Sequence, residues 1–122
     1  MEGKRLFSKD HVWVLQTGDT AKLGVSDYAQ EKLGSVVFLN LPNVGENLSI
    51  GQRFGDIESI KTVSDLISPL DGKVTAVNDE LADELDAVNE APYESWFIKV
   101  EIKAMSDELM DEDAYREYMD KL

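Results

Sequence analysis

Gly55-Asp56-Ile57-Glu58-Ser59-Ile60-Lys61-Thr62-Val63-Ser64-Asp65 alternates apolar and polar residues up to a lysine, breaks, and then resumes its alternation. A period of two predicts strands with one buried face. The stretch therefore reads as strands over 54–60 and 64–68 flanking a turn at Lys61-Thr62-Val63. A third strand over 73–78 follows the Asp71-Gly72 turn signal, so the three are expected to run as a meander. A lysine at such a tip is exposed and reachable by a modifying enzyme, because Ser59, Ile60, Thr62 and Val63 bring no charge to neutralise it. On these residues alone it reads first as an ordinary solvated lysine.

Toward the N-terminus, Val12-Trp13-Val14-Leu15-Gln16 and Ala21-Lys22-Leu23-Gly24-Val25 read as two strands joined at Thr17-Gly18-Asp19-Thr20. Ser26 can cap a helix over 27–33 closed by Gly34, with Tyr28, Ala29 and Leu33 toward the core. Residues 36–41 are strand-like and stop at Pro42-Asn43. Beyond the central hairpin, 79–83 reads as one helical turn and 96–102 as a half-buried strand. Ser106 is expected to cap a last helix over about 106–121, with Leu109, Met110, Ala114, Tyr115, Tyr118, Met119 and Leu122 on one side. Short, regularly spaced strands predict a single domain over 1–122, mainly β with peripheral helices, built as a small sandwich or barrel-like core. A ferredoxin-like α+β arrangement would need longer helices between the strands.

Composition bounds the function. The chain has 122 residues, 43% of them hydrophobic, which is enough to pack one core. Its 25 acidic and 12 basic residues give a formal charge of -13, which repels phosphate backbones and anionic lipid heads. Nucleic acid and membrane are excluded as partners, whereas solubility or steering toward a basic protein face fits. With no cysteine, the chain has no disulfide, thiolate nucleophile or dithiol pair of its own. His11 is the only histidine, so no multi-histidine metal site can form; beside Trp13 it reads as structural. Asp56, Glu58 and Asp65 could offer oxygen ligands to a hard cation, but without a calcium-loop motif they read as solvated acids. Gly45 and Gly51 belong to turns and lack the lysine ending of a phosphate loop. Met1-Glu2-Gly3-Lys4-Arg5 carries no apolar leader, and no apolar run reaches about eighteen residues; a soluble, cytoplasmic protein is expected.

A wider pattern singles out the lysine. Ser8-Lys9-Asp10-His11 with Trp13, Leu23-Gly24-Val25-Ser26-Asp27-Tyr28-Ala29-Gln30-Glu31-Lys32-Leu33-Gly34, and Val36-Val37-Phe38 running into Leu41-Pro42 and Val44-Gly45 occur in order. They are followed by Glu58-Ser59-Ile60-Lys61, Ser64-Asp65, Ser68-Pro69, Gly72-Lys73-Val74, Val77-Asn78, Val88-Asn89-Glu90-Ala91-Pro92-Tyr93 and Trp96. Over nearly its whole length the sequence resembles the lipoyl-carrying H proteins of the glycine cleavage system. Biotin carriers, which share that fold, set their lysine between two methionines, whereas here Ile60 and Thr62 flank it. Val12, where the family often has Glu, and Ile67, where Tyr is common, depart from the pattern without touching Lys61.

The resemblance implies a barrel-sandwich hybrid: two small sheets packed as a flattened sandwich, with a C-terminal helix. It implies lipoate in amide linkage on Lys61, attached by a lipoate ligase or an octanoyl/lipoyl transferase, with Glu58 a candidate for recognition by that enzyme. It further implies a non-enzymatic, monomeric carrier. Such a carrier moves an aminomethyl group from glycine decarboxylase, a pyridoxal-phosphate enzyme, to an aminomethyltransferase, and its dithiol to dihydrolipoamide dehydrogenase. A second reading is an H-like relay that donates lipoyl groups to other carriers or serves as a regulatory modification platform.

Overall fold

The computed structural model describes residues 5–122, so most of the opening segment read above for a leader lies outside the described residues. Nine strands form two sheets. The larger has six strands in the order β1 (Arg5–Phe7), β2 (Val12–Thr17), β3 (Thr20–Val25), β9 (Ile98–Met105), β8 (Leu70–Val77) and β5 (Asn47–Leu48). The smaller has three: β4 (Val36–Asn40), β6 (Arg53–Ser59) and β7 (Val63–Ile67). Three helices, α1 (Asp27–Leu33), α2 (Asp86–Glu90) and α3 (Glu112–Asp120), and one 3₁₀ turn at Asp79–Asp83 complete the chain. This is a flattened two-sheet sandwich with a C-terminal helix, as the resemblance implies.

The opening hairpin and α1 form where local chemistry predicts them. The Ser26 hydroxyl oxygen accepts the Ala29 amide at 3.2 Å, capping α1, and Gly34 ends it. Leu33 is buried, while Tyr28 and Ala29 are only half-buried. The first half of strand β2, Val12 to Val14, is buried on both faces. Val12 and Val14 enter the core between the sheets with Leu23, Ile57, Leu70, Phe97 and Val100, whereas Trp13 points the other way and packs with Phe7 and Tyr115. Across the β2–β3 pair Trp13 faces Gly24, where a Cβ would lie 2.6 Å from the indole. Only glycine leaves room for that ring.

Several expectations need correction. The three central strands are not a meander: β6 and β7 pair with each other, but β8 crosses to the larger sheet and pairs with β9 and β5. The chain turns at Ser68-Pro69, and Asp71-Gly72 lies inside β8. Gly72 serves close packing there, since a Cβ would lie 2.4 Å from the Glu101 carbonyl oxygen. The last helix is capped by Asp111, whose carboxylate accepts the Ala114 amide at 2.8 Å. Ser106 instead stabilises a turn by accepting the Glu108 amide at 3.1 Å. Between them Met110 exchanges two 2.8 Å backbone hydrogen bonds with Phe7, which keeps Leu109 and Met110 out of the helix. Tyr115 is buried, Tyr118 and Met119 are half-buried, and Ala114 and Leu122 face solvent. Strand β9 begins two residues later than read and runs to Met105. Strands β1 and β5 and helix α2 had no local signal.

Candidate functional site

The turn that carries Lys61 is built by one serine. The Ser59 amide donates to the Thr62 carbonyl at 2.8 Å, and the Ser59 hydroxyl oxygen accepts the amides of Lys61 and Thr62, both at 3.1 Å. The residues linking the two strands are thus Ile60 to Thr62, one residue earlier than the expected Lys61-Thr62-Val63. A second anchor comes from outside the hairpin, because the Ile60 amide donates to the Ser35 carbonyl at 3.1 Å. Peptide groups that would otherwise be left to water are satisfied on both sides of the lysine, which makes the tip a fixed platform.

Lys61 is exposed on this platform, and among the described residues its ammonium has no ion-pair partner. Its stem runs over Gly34, where a Cβ would come within 3.3 Å of Lys61 Cε. Apolar side chains stand uncovered around it: Ile60 is 71% exposed, Val63 57%, and Val37 and Phe38 about half. A bulge in β4 between Val36 and Phe38 turns Val37 and Phe38 outward together. Glu58 is half-buried on the outer face of the small sheet, cross-strand from Phe38 and Val63.

Beside the tip, α1 and β7 enclose a groove of about 280 Å³ whose floor includes Val25, Leu33, Ile57 and Leu66. Asp10, His11, Lys32 and Asp65 also line it. Burial of His11 pushes its imidazole below the usual value, only partly opposed by the Asp10 charge. Its Nδ1 shares a hydrogen bond with the Tyr115 hydroxyl at 2.6 Å. The Tyr115 hydroxyl shares another with the Ser26 hydroxyl at 2.7 Å, and desolvation drives it up to about 12. His11 is thus the link between the groove, the α1 cap and α3, which bears out its structural reading. Its backbone, at φ 66°, is in the left-handed region.

Two of the three acids considered as a cation site are otherwise engaged. Asp56 and Asp65 face each other across β6 and β7, and both pair with Arg53, whose Nε lies 3.1 Å from Asp65 Oδ1. Among the described residues no group of three or more metal-ligating side chains is found, and no helix is long and apolar enough to cross a membrane. A larger cleft of about 660 Å³ lies apart from the lysine, lined by Trp96 with Asp79, Glu80, Glu84 and Glu94.

The fold agrees with what known proteins show. A glycine cleavage system H protein from Thermoanaerobacter sp. is 45% identical over 117 residues, covering 94% of this chain and 93% of the relative. One from Staphylococcus haemolyticus is 46% identical over 114 residues, covering 91% and 90%. The crystal structure of a glycine cleavage system H protein from Mycobacterium marinum matches with a TM-score of 0.89 at 35% identity, covering 98% of each chain. The sequence profile of the family described as Glycine cleavage H-protein matches residues 5–122, and the chain therefore belongs to the glycine cleavage H-protein family.

Proposed function

We propose that Lys61 is the residue through which this chain carries lipoate, and that the chain is one carrier unit over 1–122. Family membership gives the broad role, a lipoyl-carrier shuttle of the glycine cleavage system. The observation that supports Lys61 is its exposed ammonium, without an ion-pair partner among the described residues, on a turn fastened by Ser59 and Ser35. A lysine so placed can enter another protein's active site while the sheet behind it stays still. The residues fit the group: the amine is free to form an amide, the stem crosses a glycine, and an apolar-floored groove opens beside it.

Once attached, a lipoyl group supplies a dithiolane that accepts and releases carbon and electrons, sulfur chemistry that a chain without cysteine lacks. The chain's own residues hold, present and shelter. Ser59 fixes the turn, Val37, Phe38, Ile60 and Val63 offer apolar contact around the lysine, and Glu58 is placed to be read by a ligase or octanoyl/lipoyl transferase. Tethering gives the reacting end an effective concentration of about millimolar at any docked site, so docking can be weak and quickly reversed. In this reading the partners are glycine decarboxylase, the aminomethyltransferase and dihydrolipoamide dehydrogenase. The carrier works in the cytoplasm as a monomer and catalyses nothing alone.

Co-expression with a lipoate ligase followed by peptide mass spectrometry tests the assignment. The expected result is a single lipoyl adduct on Lys61, absent from Lys61→Arg, together with loss of aminomethyl acceptance in that variant and unchanged thermal stability. An adduct on another lysine would overturn it. Lipoylation of Lys61 without any aminomethyl acceptance would replace the shuttle by the relay.

A further inference from the structure

Asn89 lies in α2, yet its side chain is committed to the corner between α1 and β4. Its Oδ1 accepts the Val36 amide at 3.0 Å, and its Nδ2 donates to the Gly34 carbonyl at 2.8 Å and to Gln30 Oε1 at 3.0 Å. Helix α2 is itself fixed to the core by fully buried Val88. At its end the Ser95 hydroxyl meets the carbonyls of Ala87 and Ala91 at 2.9 and 2.8 Å.

The corner it grips needs holding. Gly34 has φ 83° and ψ -160°, a region open essentially to glycine, and such backbone persists only where its surroundings over-determine it. The next carbonyl, that of Ser35, receives the Ile60 amide, and Ile60 directly precedes Lys61. Val36, whose amide Asn89 also holds, is paired in register with Ser59, the residue that builds the lysine turn. Asn89 thus grips the residues on either side of the carbonyl that supports the tip.

We propose that Asn89 is a positioning residue for the Lys61 hairpin, clamping Gly34 and Val36 so that the Ser35 carbonyl stays in place for the Ile60 amide. The inference rests on the reading of Lys61 as the attachment site. Its consequence is that an enzyme acylating Lys61 meets one preset tip conformation and does not have to order the tip on binding, a cost that would otherwise weaken recognition.

The test uses the full chain as Asn89→Ala and Asn89→Asp, with amide hydrogen exchange followed by NMR and lipoylation by a lipoate ligase followed by intact mass. In Asn89→Ala, exchange at Ile60 and Val36 is expected to speed by about tenfold, the effect of losing interactions of this size. Exchange at Val74, in β8, and at Phe97, just before β9, should not change. Acylation should lose about five- to twentyfold in kcat/KM through KM, with kcat retained. Asn89→Asp keeps the acceptor for Val36 but has no donors, so protection should survive at Val36 and fall at Ile60. Wild-type exchange and acylation in both variants would overturn the proposal. So would protection lost equally at Val74 and Phe97, or failure of both variants to fold, because either result makes Asn89 a residue of the whole fold. If the wild-type chain itself gains no adduct on Lys61, the attachment reading fails, while exchange at Ile60 still decides whether Asn89 braces the tip.

Discussion

His11 shows how one side chain can tie a site to its scaffold. Burial lowers the pKa of its imidazole, and its Nδ1 shares a hydrogen bond with the Tyr115 hydroxyl. In the unfolded chain the ring returns to the usual value of about 6.5, so between that value and the lower folded one the unfolded state binds more protons. Stability should therefore be unaffected by this group above about pH 6.5 and fall as pH drops toward the folded value. Thermal melts between pH 7.5 and 5.5, buffered above the main carboxylate range, should show this slope, and His11→Gln should flatten it; equal slopes would remove His11 as the cause. The exposed hairpin position of Lys61 was legible from its neighbours, whereas only the motifs around it single it out as the proposed attachment site. Its supports were less legible, because Ser35 and Asn89 are remote in sequence from the turn they brace, and no local pattern announces a carbonyl that serves another strand.

Capping explains which helices could be read from the sequence. Helix α1 carries its own start and stop in Ser26 and Gly34, and the reading matched the structure. Helix α3 was read as starting at Ser106 and instead starts at Asp111, because Phe7 makes paired hydrogen bonds that hold Met110 extended. Replacing Asp111 by Ala should cost about 1 kcal/mol, whereas Ser106→Ala should stay within about 0.5 kcal/mol. Urea titration of both variants checks this, and the reverse order would place the functional cap at Ser106. The same dependence on distant partners hid the path of β8. Asp71-Gly72 has the composition of a turn, but the glycine is there because the Glu101 carbonyl passes so close. Strand β5, only two residues long, exists through its pairing with β8 and has no periodicity to read.

The charge of -13 surrounds a carrier that must meet several proteins in turn. Asp79, Glu80, Glu84 and Glu94 line the larger cleft, and α3 adds Glu112 and Asp113 in its first turn. If this field steers partners, raising ionic strength from about 0.05 to 0.5 M shortens the Debye length from over 10 Å to a few ångströms. The rate of aminomethyl loading by glycine decarboxylase at limiting carrier should then fall; a flat response would leave the acids to solubility alone. Mainly β architecture was legible from strand spacing and the C-terminal helix from its helical periodicity, while the division into two sheets came only from the family resemblance, since it depends on where β8 goes. That division also orders the events of biosynthesis. The lysine hairpin closes between Arg53 and Ile67 and needs only nearby residues. Its support does not: β3 waits for β9, Thr20 pairing with Glu101, and β1 waits for Met110. Such distant pairings form late, so a ribosome must release almost the entire chain before the frame behind the hairpin can close. If Lys61 is the attachment residue, an enzyme that requires this closed frame behind it acts only after the residues through Met110 have been made.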